Sequence, residues 1–181
     1  MKKWVAYILV LFTVINSFQF SAAAVNDLSI SAKAALVMCA DSKEVIYAHN
    51  AYEKLPMAST TKIMTALILA EQPSLDKTVI VTKQMVTVEG SSMGLLEGDT
   101  VSYRDLLYGM LLASGNDAAN TVAMVLGETV PNFAKMMNDK AQKIGLKNTN
   151  FVTPSGLDSA EHYTTARDLA LLTRYALENE D

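Results

Sequence analysis

Residues 63–70, Ile-Met-Thr-Ala-Leu-Ile-Leu-Ala, contain no charged side chain and are apolar nearly all round. The helix they predict must therefore be enclosed by other elements rather than lie on a surface. Just ahead of it stands Ser59-Thr60-Thr61-Lys62. Residues three apart share a helix face, so the Ser59 hydroxyl and the Lys62 amine can meet. Burial lowers a lysine's pKa, and a neutral amine can take a proton from serine. The pair is thus a candidate nucleophile and base; the plainer alternative is an N-cap serine followed by a surface lysine. Ser74-Leu75-Asp76-Lys77 repeats the spacing, but it follows Pro73 in a polar turn and has no buried helix behind it. That copy reads as a loop.

A second element lies further along, at Ser114-Gly115-Asn116, between helix-like segments at 103–113 and 118–126. The first of these is entered through Ser102 with Asp105 three residues on, a helix-start signature. The intervening glycine predicts a tight turn that aims Ser114 and Asn116 at a common point, one as a hydroxyl relay and one as an amide donor and acceptor. In isolation these residue types would also suit a plain inter-helix turn.

A serine-x-x-lysine followed by a serine-x-asparagine and then a lysine-threonine-glycine is the signature of penicillin-reactive serine enzymes. The chain resembles a low-molecular-weight penicillin-binding protein, specifically a serine-type D-alanyl-D-alanine carboxypeptidase. Lys54-Leu55-Pro56-Met57-Ala58-Ser59-Thr60-Thr61-Lys62-Ile63-Met64-Thr65 is similar to that family's nucleophile region, and Leu111-Leu112-Ala113-Ser114-Gly115-Asn116-Asp117-Ala118-Ala119 to its second motif. Residues 145–157 and 162–170 extend the likeness, which covers about residues 31 to 178.

The resemblance implies an α+β fold: the N-terminal part of the β-lactamase/transpeptidase-like fold, an antiparallel sheet with a helical cluster, its later strands missing. It implies Ser59 as nucleophile, Lys62 as base, Ser114 as proton relay and Asn116 as a substrate-binding residue. The implied substrate is a peptidoglycan stem peptide ending in D-Ala-D-Ala, with β-lactam antibiotics as acylating inhibitors and no cofactor or metal. No lysine- or histidine-led Ser/Thr-Gly triplet follows Asn116. The expectation is a partial sequence that stops before that motif, leaving the hairpin with an exposed edge. An inactive remnant or a non-catalytic wall-binding module is the alternative. A serine β-lactamase is disfavoured, since no Glu-x-x-Leu-Asn follows Asn116. Relatives with a C-terminal amphipathic anchor suggest membrane-surface association through a segment this sequence does not contain.

The amino terminus predicts export. Lys2-Lys3, the apolar stretch Trp4 to Val14 and the small residues Ala22-Ala23-Ala24 read as a secretory signal peptide over residues 1–24, with a partial penicillin-binding/transpeptidase-like catalytic domain over 25–181. An uncleaved anchor is the alternative, but the stretch is short of the roughly 20 residues a span requires. The protein is expected at the extracytoplasmic face of the cell membrane or in the cell wall. Cleavage would remove Lys2 and Lys3 and take the formal charge from −4 to −6. An acidic domain without a basic cluster does not suit nucleic acid.

Cys39 is the sole cysteine, within 34–40, which reads as a buried strand; a small buried hydrophobe is its expected role. His49 and His162 stand apart, one after a strand and one in a loop, and support neither a metal nor a triad. The remaining pattern predicts an antiparallel hairpin over 34–40 and 44–48, a short strand at 79–81, an irregular segment over 93–100, and further helices over 131–144 and 165–178. The last should open with a Thr165-x-x-Asp168 capping box.

Overall fold

The computed structural model describes residues 30–179, so the signal-peptide reading of residues 1–24 lies outside the described residues. Its centre is α1, Lys62–Ala70, on which Met64 and Leu69 are wholly buried. Three longer helices follow the chain toward it: α3 at Tyr103–Leu112, α4 at Asn116–Gly127 and α5 at Val130–Ile144. With α6, Ala166–Ala176, they enclose α1, as an all-apolar helix requires. Helix α4 contributes Ala118, Ala119, Val122 and Ala123, all fully buried. Such small side chains let α4 approach its neighbours closely. Phe133 and Met137 of α5, with Tyr103, Leu106 and Met110 of α3, fill the remaining space. This arrangement is an α+β domain, with its sheet strands at the margin.

Strands β1, Ala35–Met38, and β2, Val45–His49, form the expected antiparallel hairpin, with Ala35 opposite His49 and a register shift between Val37 and Met38. Helix α6 packs against β1, and Arg174 Nε donates to the Ala40 carbonyl at 2.5 Å. Val37 and Ile46 remain 51% and 61% exposed. Cys39 departs from its expected place. The strand ends at Met38, and Cys39 N donates to Glu44 O across the turn at 2.9 Å, so the thiol is half-buried rather than in the core.

The strand expected at 79–81 is β3, Thr78–Ile80, and its partner is β4, Thr100–Ser102, with Val79 opposite Val101. Three residues are too few to show alternation, so β4 was hidden at the end of the segment read as irregular. Between them lies a one-turn helix, α2, at Lys83–Val86, which sequence periodicity does not reveal either. At α3 the predicted cap is complete: Asp105 N donates to Ser102 Oγ at 3.1 Å, and Ser102 N donates back to the Asp105 carboxylate at 2.9 Å. At α6 only half of the box forms. Asp168 N donates to Thr165 Oγ1, but the Asp168 carboxylate turns away to accept from Asn148 N at 2.6 Å and Thr149 Oγ1 at 2.9 Å. It fastens the loop after α5 to the start of α6.

Candidate active site

Ser59 sits neither at an N-cap nor in regular helix. Residues Ala58–Thr61 form a 3-10 turn that runs directly into α1, and the residue before the serine, Ala58, has a left-handed φ of +44°. A non-glycine residue in that region is strained, and such strain concentrates where a side chain must be presented in one orientation. The turn is held from behind by Gly156. A Cβ at that position would overlap the Ala58 carbonyl and crowd Thr61 Oγ1.

The turn leaves Ser59 exposed and Lys62 2% exposed. Lys62 Nζ lies 3.1 Å from Ser59 Oγ, 3.4 Å from Ser114 Oγ and 2.9 Å from the Ser155 carbonyl. Ser114 Oγ donates to Ser59 Oγ at 3.0 Å, which closes a triangle of two hydroxyls and one amine. All three partners of the amine are neutral oxygens. With no carboxylate among them to favour the ammonium, burial lowers the Lys62 pKa below its ordinary value. A lysine in this state can serve as a base toward the hydroxyl beside it.

The second element converges on the first, though by a different route from the one predicted. Ser114 itself takes the left-handed conformation, with φ +53°, whereas Gly115 has an ordinary φ of −62°. Glycine is needed there for space: a Cβ would stand 2.8 Å from Asp117 Oδ1 and 3.0 Å from Met93 N. Asn116 begins α4 and is buried. Its Nδ2 donates to the Glu89 carbonyl and its backbone N to the Ser91 carbonyl, both at 2.7 Å. Asn116 therefore ties residues 89–91 to the start of α4.

Three contributors escape the sequence reading. Asp117 accepts from Ser92 Oγ at 2.6 Å and from the backbone N–H groups of Met93, Gly94 and Leu95 at 2.9, 3.1 and 3.0 Å. Burial would raise its pKa, but these hydrogen bonds, with one from Ala118 N, outweigh that and hold the carboxyl below the ordinary aspartate value. The stability it provides is therefore present above about pH 4 and lost as the pH falls toward the lowered value. Asp117→Asn should lose about 3 kcal/mol at pH 7, because a carboxamide turns a donor toward backbone donors. The wild-type advantage should shrink on acidification. Denaturant melts of both proteins at pH 3 and pH 7 check this.

The second contributor is the loop 150–157. Pro154 O accepts from Thr65 Oγ1 at 2.6 Å, and the neighbouring Ser155 O holds Lys62, so two successive carbonyls dock on α1. The third is His162, read from sequence as a loop residue, which is 3% exposed and bonded to Thr61. The spare Ser74-x-x-Lys77 pair forms a turn, in which Asp76 N donates to Ser74 Oγ while Lys77 lies over the Tyr103 ring.

A serine, a buried lysine with no carboxylate among its hydrogen-bond partners and a second serine thus meet in one triangle, an arrangement chemically suited to acyl transfer through a serine. Residues 20–181 match the Peptidase_S11 family, D-alanyl-D-alanine carboxypeptidase, and the chain belongs to it. It is 36% identical over 160 residues to the D-alanyl-D-alanine carboxypeptidase DacF of Bacillus subtilis, covering 86% of this chain and 41% of that one. Against DacC of Escherichia coli the identity is 40% over 157 residues, covering 80% and 39%. The crystal structure of the carboxypeptidase DacD from Francisella tularensis superimposes with a TM-score of 0.81 at 36% identity, over 84% of this chain and 38% of the other. The fold is thus that of the penicillin-binding/transpeptidase-like proteins. The chain spans about two-fifths of the length of the curated relatives described.

Proposed function

We propose that this chain carries the nucleophile-bearing part of a serine D-alanyl-D-alanine carboxypeptidase acting on peptidoglycan stem peptides in cell-wall biogenesis. The observation that carries the reading is the Ser59–Lys62–Ser114 triangle, with every edge between 3.0 and 3.4 Å. Neutral Lys62 takes the Ser59 proton as Ser59 Oγ bonds to the carbonyl carbon between the two terminal D-alanines. The Ser59 backbone N–H supplies one oxyanion donor, a contribution of about 3 kcal/mol. Collapse breaks the C–N bond, and Ser114, hydrogen-bonded to Ser59, relays a proton to the departing D-alanine amine. Water then hydrolyses the ester and regenerates Ser59. Asn116, its amide nitrogen engaged by Glu89, offers its oxygen to a substrate backbone N–H.

A β-lactam presents a strained amide to the same serine and opens onto it, leaving an ester. Residues 1–24 act as the secretory signal in this reading, residues 25–181 as part of the catalytic domain, and the site of action is extracytoplasmic. The carboxypeptidase activity of named relatives supports the choice of reaction. Incubating the protein with a labelled penicillin and mapping the adduct tests it. Label on Ser59, absent in Ser59→Ala, is the expected result; a folded protein that takes no label favours the non-catalytic alternative.

A further inference from the structure

His162 is buried beside the site, and its hydrogen bonds fix its chemical state. Nδ1 accepts from Val152 N at 3.0 Å and from Thr153 N at 3.3 Å. A nitrogen facing two N–H donors holds a lone pair, so in the neutral ring the proton resides on Nε2. Nε2–H then donates to Thr61 Oγ1, 2.8 Å away and fully buried. One ring thus joins the residue before Lys62 to the loop whose Ser155 carbonyl holds the Lys62 amine.

We propose that His162 is a positioning residue for Lys62: its neutral ring holds residues 152–156 against Thr61, so that the Ser155 carbonyl fixes the amine between Ser59 and Ser114. This rests on the reading of Ser59 and Lys62 as nucleophile and base. Next to residues 152–156 the Asn138 side chain accepts from Phe151 N and donates to Phe151 O, both at 2.8 Å. Thr153 Oγ1 is spent within the loop, accepting from Gly156 N at 3.1 Å, and Thr65 Oγ1 holds Pro154 from α1. Protonation would place an N–H at Nδ1 against two N–H donors and expel both. Burial opposes that state and lowers the ring's pKa, exposed Asp158 raises it in part, and the Phe151 ring packs edge-on with centroids 6.0 Å apart. Stability linked to His162 is therefore complete above the ordinary value near pH 6.5 and falls as the pH drops below it.

Three variants separate the two ring nitrogens. His162→Phe keeps a ring and loses both polar contacts, His162→Asn places an oxygen near Nδ1, and His162→Gln places an amide near Nε2. Labelling of Ser59 by a labelled penicillin should slow about 10²-fold in His162→Phe, the cost of a misplacement of about 1 Å. His162→Asn should recover about tenfold of that loss, one hydrogen bond's worth, and His162→Gln should not. In wild type the acid limb of the rate should steepen from first to second order in protons as His162 titrates; in His162→Asn it should stay first order.

Nuclear magnetic resonance supplies the readout independent of activity. The ring should show a bare Nδ1 and a protonated Nε2 at pH 7. The Lys62 Cε order parameter, with the exchange protection of the Val152 and Thr153 amides, should fall in His162→Phe and hold in His162→Asn. A protonated Nδ1 at pH 7, or a folded His162→Phe with unchanged Lys62 order, overturns the proposal. If wild type takes no label, the Ser59 reading fails and the order parameters still decide the role of His162. If His162→Phe does not fold, equal Lys62 order in the Asn and Gln variants overturns it.

Discussion

Replacing Lys62 by methionine should slow labelling of Ser59 by penicillin about 10²–10⁴-fold, the range over which a positioned general base contributes. Methionine fills nearly the same volume and leaves the α1 packing in place, so a loss of rate reports the amine rather than the fold. Arginine at the same position should fail as completely. Its guanidinium cannot shed a proton near neutrality and has no carboxylate here to pair with. Lys62 also couples to stability, and the direction follows from its lowered pKa. Between the folded value and the ordinary value of about 10.4 the unfolded chain binds the extra proton, so wild type gains stability as the pH rises across that interval. Lys62→Met should lose that gain. Denaturant melts from pH 7 to 10.5, beside labelling rates for the same proteins, check both halves.

Gly156→Ala should be the most damaging small substitution in the site, with a loss above about 3 kcal/mol and a fall in melting temperature of about 10 °C. Two effects combine. The residue has φ +90°, where alanine is strained, and its added Cβ would overlap the backbone carbonyl of Ala58. The strain alone costs about 1–2 kcal/mol; the overlap must move the turn that carries Ser59. Gly145→Ala separates these contributions. Gly145 has nearly the same φ, +91°, but a Cβ there meets nothing within 4 Å. That variant should lose only the strain and keep its labelling rate, whereas Gly156→Ala should lose both stability and labelling. Thermal melts and labelling of the pair give the comparison.

The chemistry of this site was legible wherever it resides in side chains at short spacing. Ser59 and Lys62 lie three residues apart before an apolar helix, and Ser114 stands two before Asn116, so the key groups could be named before the fold was known. What could not be read is held by backbone or by contacts distant in sequence. The Ser155 carbonyl that holds Lys62 leaves no mark in residue identity, because any residue has one. His162 looks like a loop histidine until the 152–153 amides and Thr61 close around it. Gly115 was read as a turn-former, yet Ser114 makes the left-handed turn and Gly115 provides room for Met93 and Asp117. Glycine serves both needs, and local sequence cannot distinguish them. Asp168 likewise fits a capping box, but Asn148 and Thr149 compete successfully for its carboxylate. Strand β4 was missed because a three-residue strand is defined by its partner rather than by its own pattern.

Activation of Ser59 as proposed requires a Lys62 amine whose pKa is lowered by burial and which lies within reach of the hydroxyl. Following the Lys62 Cε and Nζ resonances through a pH titration of the full chain measures that property without substrate or inhibitor. The expected result is a midpoint clearly below the ordinary lysine value of about 10.4, moved in Ser114→Ala, which removes one oxygen from around the amine. A Lys62 that titrates at the ordinary value, with the protein folded, would contradict the assignment of base to this residue.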